Sequence, residues 1–181
     1  GGEVDAPGGE MGRPPDAACI QYRILNRGKG PAVWSLQAQA DRRAYQKVMK
    51  HTLETQENLW VKQAEVVEIR TENGAVSAVV TATGAVYAVK AAVVCTGTFL
   101  GGRTIVGDVV RDSGPDGLAA ALPLTGCLKS LGLSIRRFKT GTPPRVHRRS
   151  VDFSKMELQP GDPTAQPFSF ETARAPENRA V

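Results

Sequence analysis

The pair Asn73-Gly74, set between the runs Glu65 to Thr71 and Val76 to Thr81, leaves the local chain few ways to fold. Both central residues of a two-residue hairpin turn must accept positive φ, which Asn and Gly do at least cost, so an antiparallel hairpin is predicted. A second turn at Thr83-Gly84 leads into Ala85 to Thr96 and makes a three-stranded meander. That last run alternates at first and then becomes the continuous apolar stretch AAVVC at 91 to 95. A strand apolar on both faces belongs inside a sheet, so the chain is read as passing from a half-exposed hairpin into a buried sheet.

Other elements follow from local signals. Residues 1 to 34 are rich in Gly and Pro and read as a long surface segment, interrupted by Cys19 to Leu25 as a short strand or helical turn. From Ser35, taken as an N-cap, to about Leu53, the spacing puts Ala44, Tyr45, Val48, Met49 and Leu53 on one helical face. Arg42, Arg43, Gln46, Lys47 and Lys50 lie mostly opposite. Gly97 to Gly117 reads as loop, Leu118 to Leu131 as helix despite Pro123 and Gly126, and Ser134 to Phe138 as a short strand. Pro143-Pro144 then stops any regular element, so a domain change is placed near Thr142, and 156 to 181 is polar enough to be mobile. The opening GGEVDAPGGEMGRPP and the closing PFSFETARAPENRAV both read as the interior of a longer protein.

Several function classes are excluded or disfavoured. No apolar run of eighteen residues and no signal-peptide pattern occurs, which points to a cytoplasmic protein with no membrane role. Cys19, Cys95 and Cys127 are odd in number and lack CxxC spacing, so they are read as reduced thiols and not as a disulfide frame or zinc site. There is no GxSxG elbow, no metal-spaced histidine and no GxGxxG fingerprint.

Two loops can carry chemistry. VVCTGTF ends an apolar strand in Thr96-Gly97, where glycine would let backbone N–H groups approach a phosphate or ring; the alternative is a tight turn with no ligand. The other loop is KTGTPPR at 139 to 145, with two cations and two threonines beside a rigid diproline; the alternative is a solvated connection. It lies within 136 to 149, where Arg136, Arg137, Lys139, Arg145, Arg148 and Arg149 occur without an acidic residue, in a chain of formal charge +5. Such a cluster suits phosphate. Trp34 and Trp60 are read as packing residues, although Trp34 beside GKGPAV lies in a loop where a base could stack.

Taken in order, QYRILNRGKGPAVW (21 to 34), QAQADRRAYQ (37 to 46), Glu65-Val66, CTGTFLGG (95 to 102) and RRFKTGTPPR (136 to 145) closely resemble the MnmG/GidA family over nearly all of residues 3 to 154. The resemblance implies an α/β, two-dinucleotide-binding flavoprotein, here a partial FAD-binding Rossmann-like domain with a β-meander. Residues 1–142 would be the middle of the FAD domain and 143–181 the start of an inserted NADH-binding domain. It also implies a reaction. FAD, NADH and methylene-tetrahydrofolate would build an aminomethyl or carboxymethylaminomethyl group on carbon five of the wobble uridine of tRNA, together with the GTPase MnmE and in a homodimer.

Carried over residue by residue, the resemblance makes Val66 a backbone contact to FAD and puts Thr96 and Gly97 near it. Ala121 falls where the family has a serine contact, so a hydroxyl is missing. Arg137, Lys139, Arg145 and Arg148 are expected to touch tRNA or another anion. No catalytic residue is assigned, because the family's cysteines belong to segments outside this chain, and the isolated piece is expected to be inactive. Two alternatives stay open: another FAD/NAD(P) oxidoreductase acting on a small molecule, and a catalytically dead RNA-binding homologue.

Overall fold

The computed structural model describes residues 2–141, 143, 146–164, 166–173 and 177–179, with the side chains of Gly2 and Glu3 left aside. The fold is mixed α/β with small antiparallel sheets, as anticipated. It divides into two compact units, residues 1–61 with 144–181, and residues 62–143. Residues 144–181 group with the first sixty-one residues and Pro143 with the second unit; Thr142 itself lies outside the described residues.

In the first unit, α1 (Gly2–Asp5) and α2 (Arg13–Ala17) precede β1 (Cys19–Leu25), which pairs antiparallel with β2 (Ser35–Ala40). The expected surface segment is thus the centre of this unit, and Tyr22 and Pro14 are its fully buried side chains. Ser35 is not an N-cap, because residues 35–40 satisfy their backbone groups on β1. The helix α3 (Arg42–Thr55) begins instead at Asp41, whose carboxylate accepts from the N–H groups of Arg43 (2.8 Å) and Ala44 (2.9 Å). Its predicted face holds: Ala44, Tyr45, Val48 and Met49 are half-buried, though Leu53 stays exposed.

The other edge of β1 is bound by chain from far downstream. Tyr22 accepts from the N–H of Asp162 (2.9 Å) and Ile20 from that of Arg179 (2.9 Å), while the Gln21 amide donates to the carbonyl oxygens of Gln159 (2.7 Å) and Arg179 (3.1 Å). Asp16 is buried and gathers this segment: its carboxylate accepts from the Tyr22 hydroxyl, the N–H groups of Phe168 (2.9 Å) and Ser169 (2.9 Å), and the Thr172 hydroxyl (2.7 Å). Burial, and then the Asp16 carboxylate beside it, pushes the Tyr22 phenol well above its ordinary range. Burial likewise raises the Cys19 thiol, which keeps it a poor nucleophile.

The second unit holds the predicted meander: β3 (Val66–Glu72), β4 (Ala75–Thr81) and β5 (Val86–Ala88), in that order. Asn73 and Gly74 both take positive φ, +52° and +79°, as the turn requires. The third strand is shorter than expected. After Val89, whose N–H still donates to the Ser77 carbonyl of β4 (3.0 Å), the chain leaves the sheet, and Val93 and Val94 are exposed, since no described strand is available to pair with 91 to 95. Gly97–Gly117 is not plain loop either: β6 (Arg103–Val106) and β7 (Val109–Asp112) form a hairpin. The last helix, α4 (Leu122–Ser130), starts later than anticipated because Pro123 is accommodated only in a first turn. Residues 134–138 form no strand, having no described partner.

The core of this unit is Ile69 of β3 against Leu124 and Leu128 of α4, joined by Val66, Val76, Val79, Leu100, Cys127 and Ile135. Cys127 fastens helix to strand: its sulfur accepts from the N–H of Ile69 at 3.2 Å. No helix among the described residues is long and apolar enough to cross a membrane.

Candidate functional site

The loop after the meander and the start of α4 are laced together. Ala121 donates its N–H to the carbonyl of Phe99 (2.9 Å) and accepts from the N–H of Gly101 (3.1 Å), so Leu100 and Ala121 form a short parallel bridge. The Thr125 hydroxyl donates to the Ala121 carbonyl at 3.1 Å, tightening the first turn of α4. Thr96 caps the single helical turn Gly97–Phe99, its carbonyl accepting from the N–H of Phe99 (3.1 Å). Three of the sequence-derived positions, Thr96, Gly97 and Ala121, are thereby brought into one loop cluster.

Glycine is needed in this cluster for two separate reasons. Gly97 has φ +52°, and a side chain there would meet nothing within 4 Å, so the requirement is conformational and the backbone stands open to approach. At Gly102 the requirement is space: a Cβ would stand 2.7 Å from the carbonyl oxygens of both Ser113 and Thr98. Gly102 was not singled out from the sequence, although the Gly101-Gly102 doublet after CTGTF was there to be read.

Val66 begins β3 opposite Thr81, and its half-buried side chain packs with Leu100 against the same Ile69–Leu124–Leu128 core. The strand position and the loop cluster therefore share one foundation. Ala121 takes the N-cap place of α4 with no side-chain hydrogen bond, as its methyl dictates.

The described cationic positions are spread over both units. Arg137 donates from Nη1 to the carbonyl of Gly101 at 3.1 Å, which ties it to the loop. Lys139 is exposed further along the same unit, Arg145 lies outside the described residues, and Arg148 belongs to the other unit, in the turn Arg148–Ser150. In that turn His147 Nδ1 accepts from the N–H of Arg149 at 3.2 Å. Among the described residues no group of His, Cys, Asp and Glu could hold a metal ion.

Residues 2–181 match the profile of the family described as Glucose inhibited division protein A. A protein of Caldicellulosiruptor saccharolyticus named tRNA uridine 5-carboxymethylaminomethyl modification enzyme MnmG is 59% identical over 169 residues, which are 93% of this chain and 27% of that protein. One of Clostridium botulinum with the same name is 54% identical over 168 residues, again 93% of this chain and 27% of the relative. The structure of Aquifex aeolicus GidA superposes with a TM-score of 0.89 at 42% identity, taking in 98% of this chain and 31% of that one. The chain thus spans about a quarter of the length of the curated relatives it matches.

Proposed function

Because the chain belongs to the GidA family, we propose that it is part of a cytoplasmic flavoprotein that modifies the wobble uridine of tRNA. The full protein builds an aminomethyl or carboxymethylaminomethyl group on carbon five with FAD, NADH and methylene-tetrahydrofolate, as a homodimer working with the GTPase MnmE. The observation that carries this reading is the loop cluster of Thr96, Gly97 and Ala121, which sits on the core shared with Val66 in a chain whose relatives are named for that reaction.

The residues present fit one edge of an FAD site. At Gly97 the left-handed backbone and the open space beside it leave room for a ring or phosphate against the main chain. At Ala121 the helix start offers backbone groups and a methyl, but no hydroxyl, so recognition there passes to the main chain. Val66 contributes as a strand-start backbone position. Bound FAD supplies the redox chemistry, taking reducing equivalents from NADH; the protein's part is to hold and orient it. In this reading 1–142 is the middle part of the FAD domain and 143–181 the start of the NADH-binding domain, and the isolated chain is inactive.

The flavin absorbance of the purified full-length protein tests the reading. Bound FAD that NADH bleaches, followed by wobble-uridine modification in the presence of MnmE and folate, is the expected outcome. A colourless protein that takes up no added FAD would refute it and favour a binding module.

Lys139 and Arg145, with Arg137 and Arg148, serve tRNA phosphates in this proposal. Reversing the charge at Lys139 and Arg145 should weaken tRNA binding and flatten its salt dependence by about one to two phosphate contacts' worth of slope. Unchanged affinity with an unchanged slope removes that assignment.

A further inference from the structure

The loop Asn26 to Trp34 holds an indole in place without burying it. Trp34 is 51% exposed, and its ring N–H, the only polar atom of the side chain, donates to the carbonyl of Arg27 at 3.3 Å. The loop is closed on itself. The Asn26 amide donates to the carbonyl of Val33 (3.3 Å), the N–H of Lys29 to Asn26 (2.9 Å), that of Val33 to Gly30 (3.3 Å) and that of Trp34 to Pro31 (3.2 Å). Asn26 and Gly30 supply the left-handed positions, φ +63° and +93°, that bend the chain. A ring fixed in this way has already given up most of its rotamer freedom, so stacking on it costs little further entropy.

The charged residues of the loop itself are of one sign. Residues 26–34 contain Arg27 and Lys29 and no carboxylate. Arg27 pairs with Asp162 at 3.0 Å, whereas Lys29 is exposed and has no ion-pair partner among the described residues. Trp60 is more exposed, at 76%, but it stands between exposed Leu59 and Val61, with apolar neighbours in place of cations. An exposed π-face and an exposed ammonium carried on one short loop are the combination that binds single-stranded nucleic acid: the ring takes the base and the cation the phosphate.

We infer that this loop is a stacking platform for one unpaired base of the RNA substrate, with Trp34 under the base and Lys29 at the adjoining phosphate. The inference rests on the tRNA reading above and adds to it a positioning residue, in the unit that does not carry Gly97 and Ala121. Neither residue is asked to take part in the chemistry.

The experiment is equilibrium binding of tRNA to the full-length protein, comparing wild type with Trp34→Ala, Trp34→Phe and Lys29→Ala, with flavin content and melting temperature measured on each. Loss of one base–aromatic stack should weaken Trp34→Ala by about tenfold. Trp34→Phe, which keeps a ring, should stay within about threefold of wild type, and Lys29→Ala should lower the salt slope by about one. Flavin content and melting temperature should not move. Wild-type affinity in Trp34→Ala overturns the inference, as does a Trp34→Phe variant that is equally weak with a lowered melting temperature, since that is the behaviour of a packing residue. Wild-type protein that binds no tRNA defeats the functional reading itself, before any variant is compared.

Discussion

Replacing Asp16 by alanine should destabilise the first unit by about 3–4 kcal/mol, because buried donors are left without an acceptor. The carboxylate accepts from the Tyr22 hydroxyl, the Phe168 and Ser169 N–H groups and the Thr172 hydroxyl, and Asp16 and Ser169 are both buried. Asparagine is no conservative substitute: its NH₂ would present a donor to a site made entirely of donors, so roughly half of the loss should remain, about 1–2 kcal/mol. Urea denaturation of the full-length protein, with protease sensitivity of the 166–173 segment, measures both. A loss below about 1 kcal/mol in the alanine variant would mean that water replaces the carboxylate without cost. The same cluster gives a pH dependence. The Tyr22 phenol is raised in the folded protein, so its contribution is complete below the ordinary tyrosine value of about 10. Above that pH the unfolded chain releases the proton and the folded one does not, and stability falls as pH rises. Tyr22→Phe should flatten that alkaline limb.

The second large effect is expected at Gly102. A methyl group there would be 2.7 Å from the carbonyl oxygens of Ser113 and Thr98 and 3.3 Å from that of Phe99. All three are backbone atoms of the loop cluster, so none can rotate aside as a side chain would. Gly102→Ala should cost about 2–3 kcal/mol by overpacking. It should also reduce the flavin retained by the purified full-length protein, since Phe99 is the group that holds Ala121. Gly97→Ala is the control for stability alone: its methyl meets open space and carries only the cost of a left-handed φ, roughly 1 kcal/mol, while its flavin content should also fall because that space is the proposed approach of the cofactor. Thermal melts of the two variants separate steric from conformational need. Equal losses in both would show that crowding at Gly102 is relieved by loop movement.

What could be read from the sequence follows from how local each signal is. Asn73-Gly74 announces its hairpin because the turn chemistry is complete within two residues, and both take the φ values required. Ser35 was expected as the cap from its local sequence; the pairing of 35–40 with β1, a non-local fact, moves the helix start to Asp41. The hairpin β6–β7, in a stretch expected as loop, also has a local signal. Gly107-Asp108 between Ile105-Val106 and Val109-Val110 is a two-residue turn flanked by β-branched residues. For 91–95 the composition speaks for a buried strand, and burial requires neighbours that the described residues do not include. The loop cluster was half legible. Thr96-Gly97 could be picked out as a strand-end glycine, but that Ala121, twenty-odd residues on, would bridge to Leu100 is a matter of tertiary hydrogen bonds. For the basic residues the sequence shows only their proximity along the chain; that Arg137 donates to the Gly101 carbonyl is again a tertiary fact.

The two edges of β1 impose an order on biosynthesis. One edge is closed by β2 within a few residues, but the other waits for partners 138 and 158 positions downstream of Gln21. At ordinary translation rates that interval is on the order of ten seconds. During it the ribosome delivers the whole of 62–143, the other compact unit. The earlier-made unit must meanwhile keep an unpaired strand edge and the Asp16 acceptor waiting in the nascent chain. Mutations that slow elongation between 144 and 179 would then lower the yield of correctly folded protein without altering its final stability.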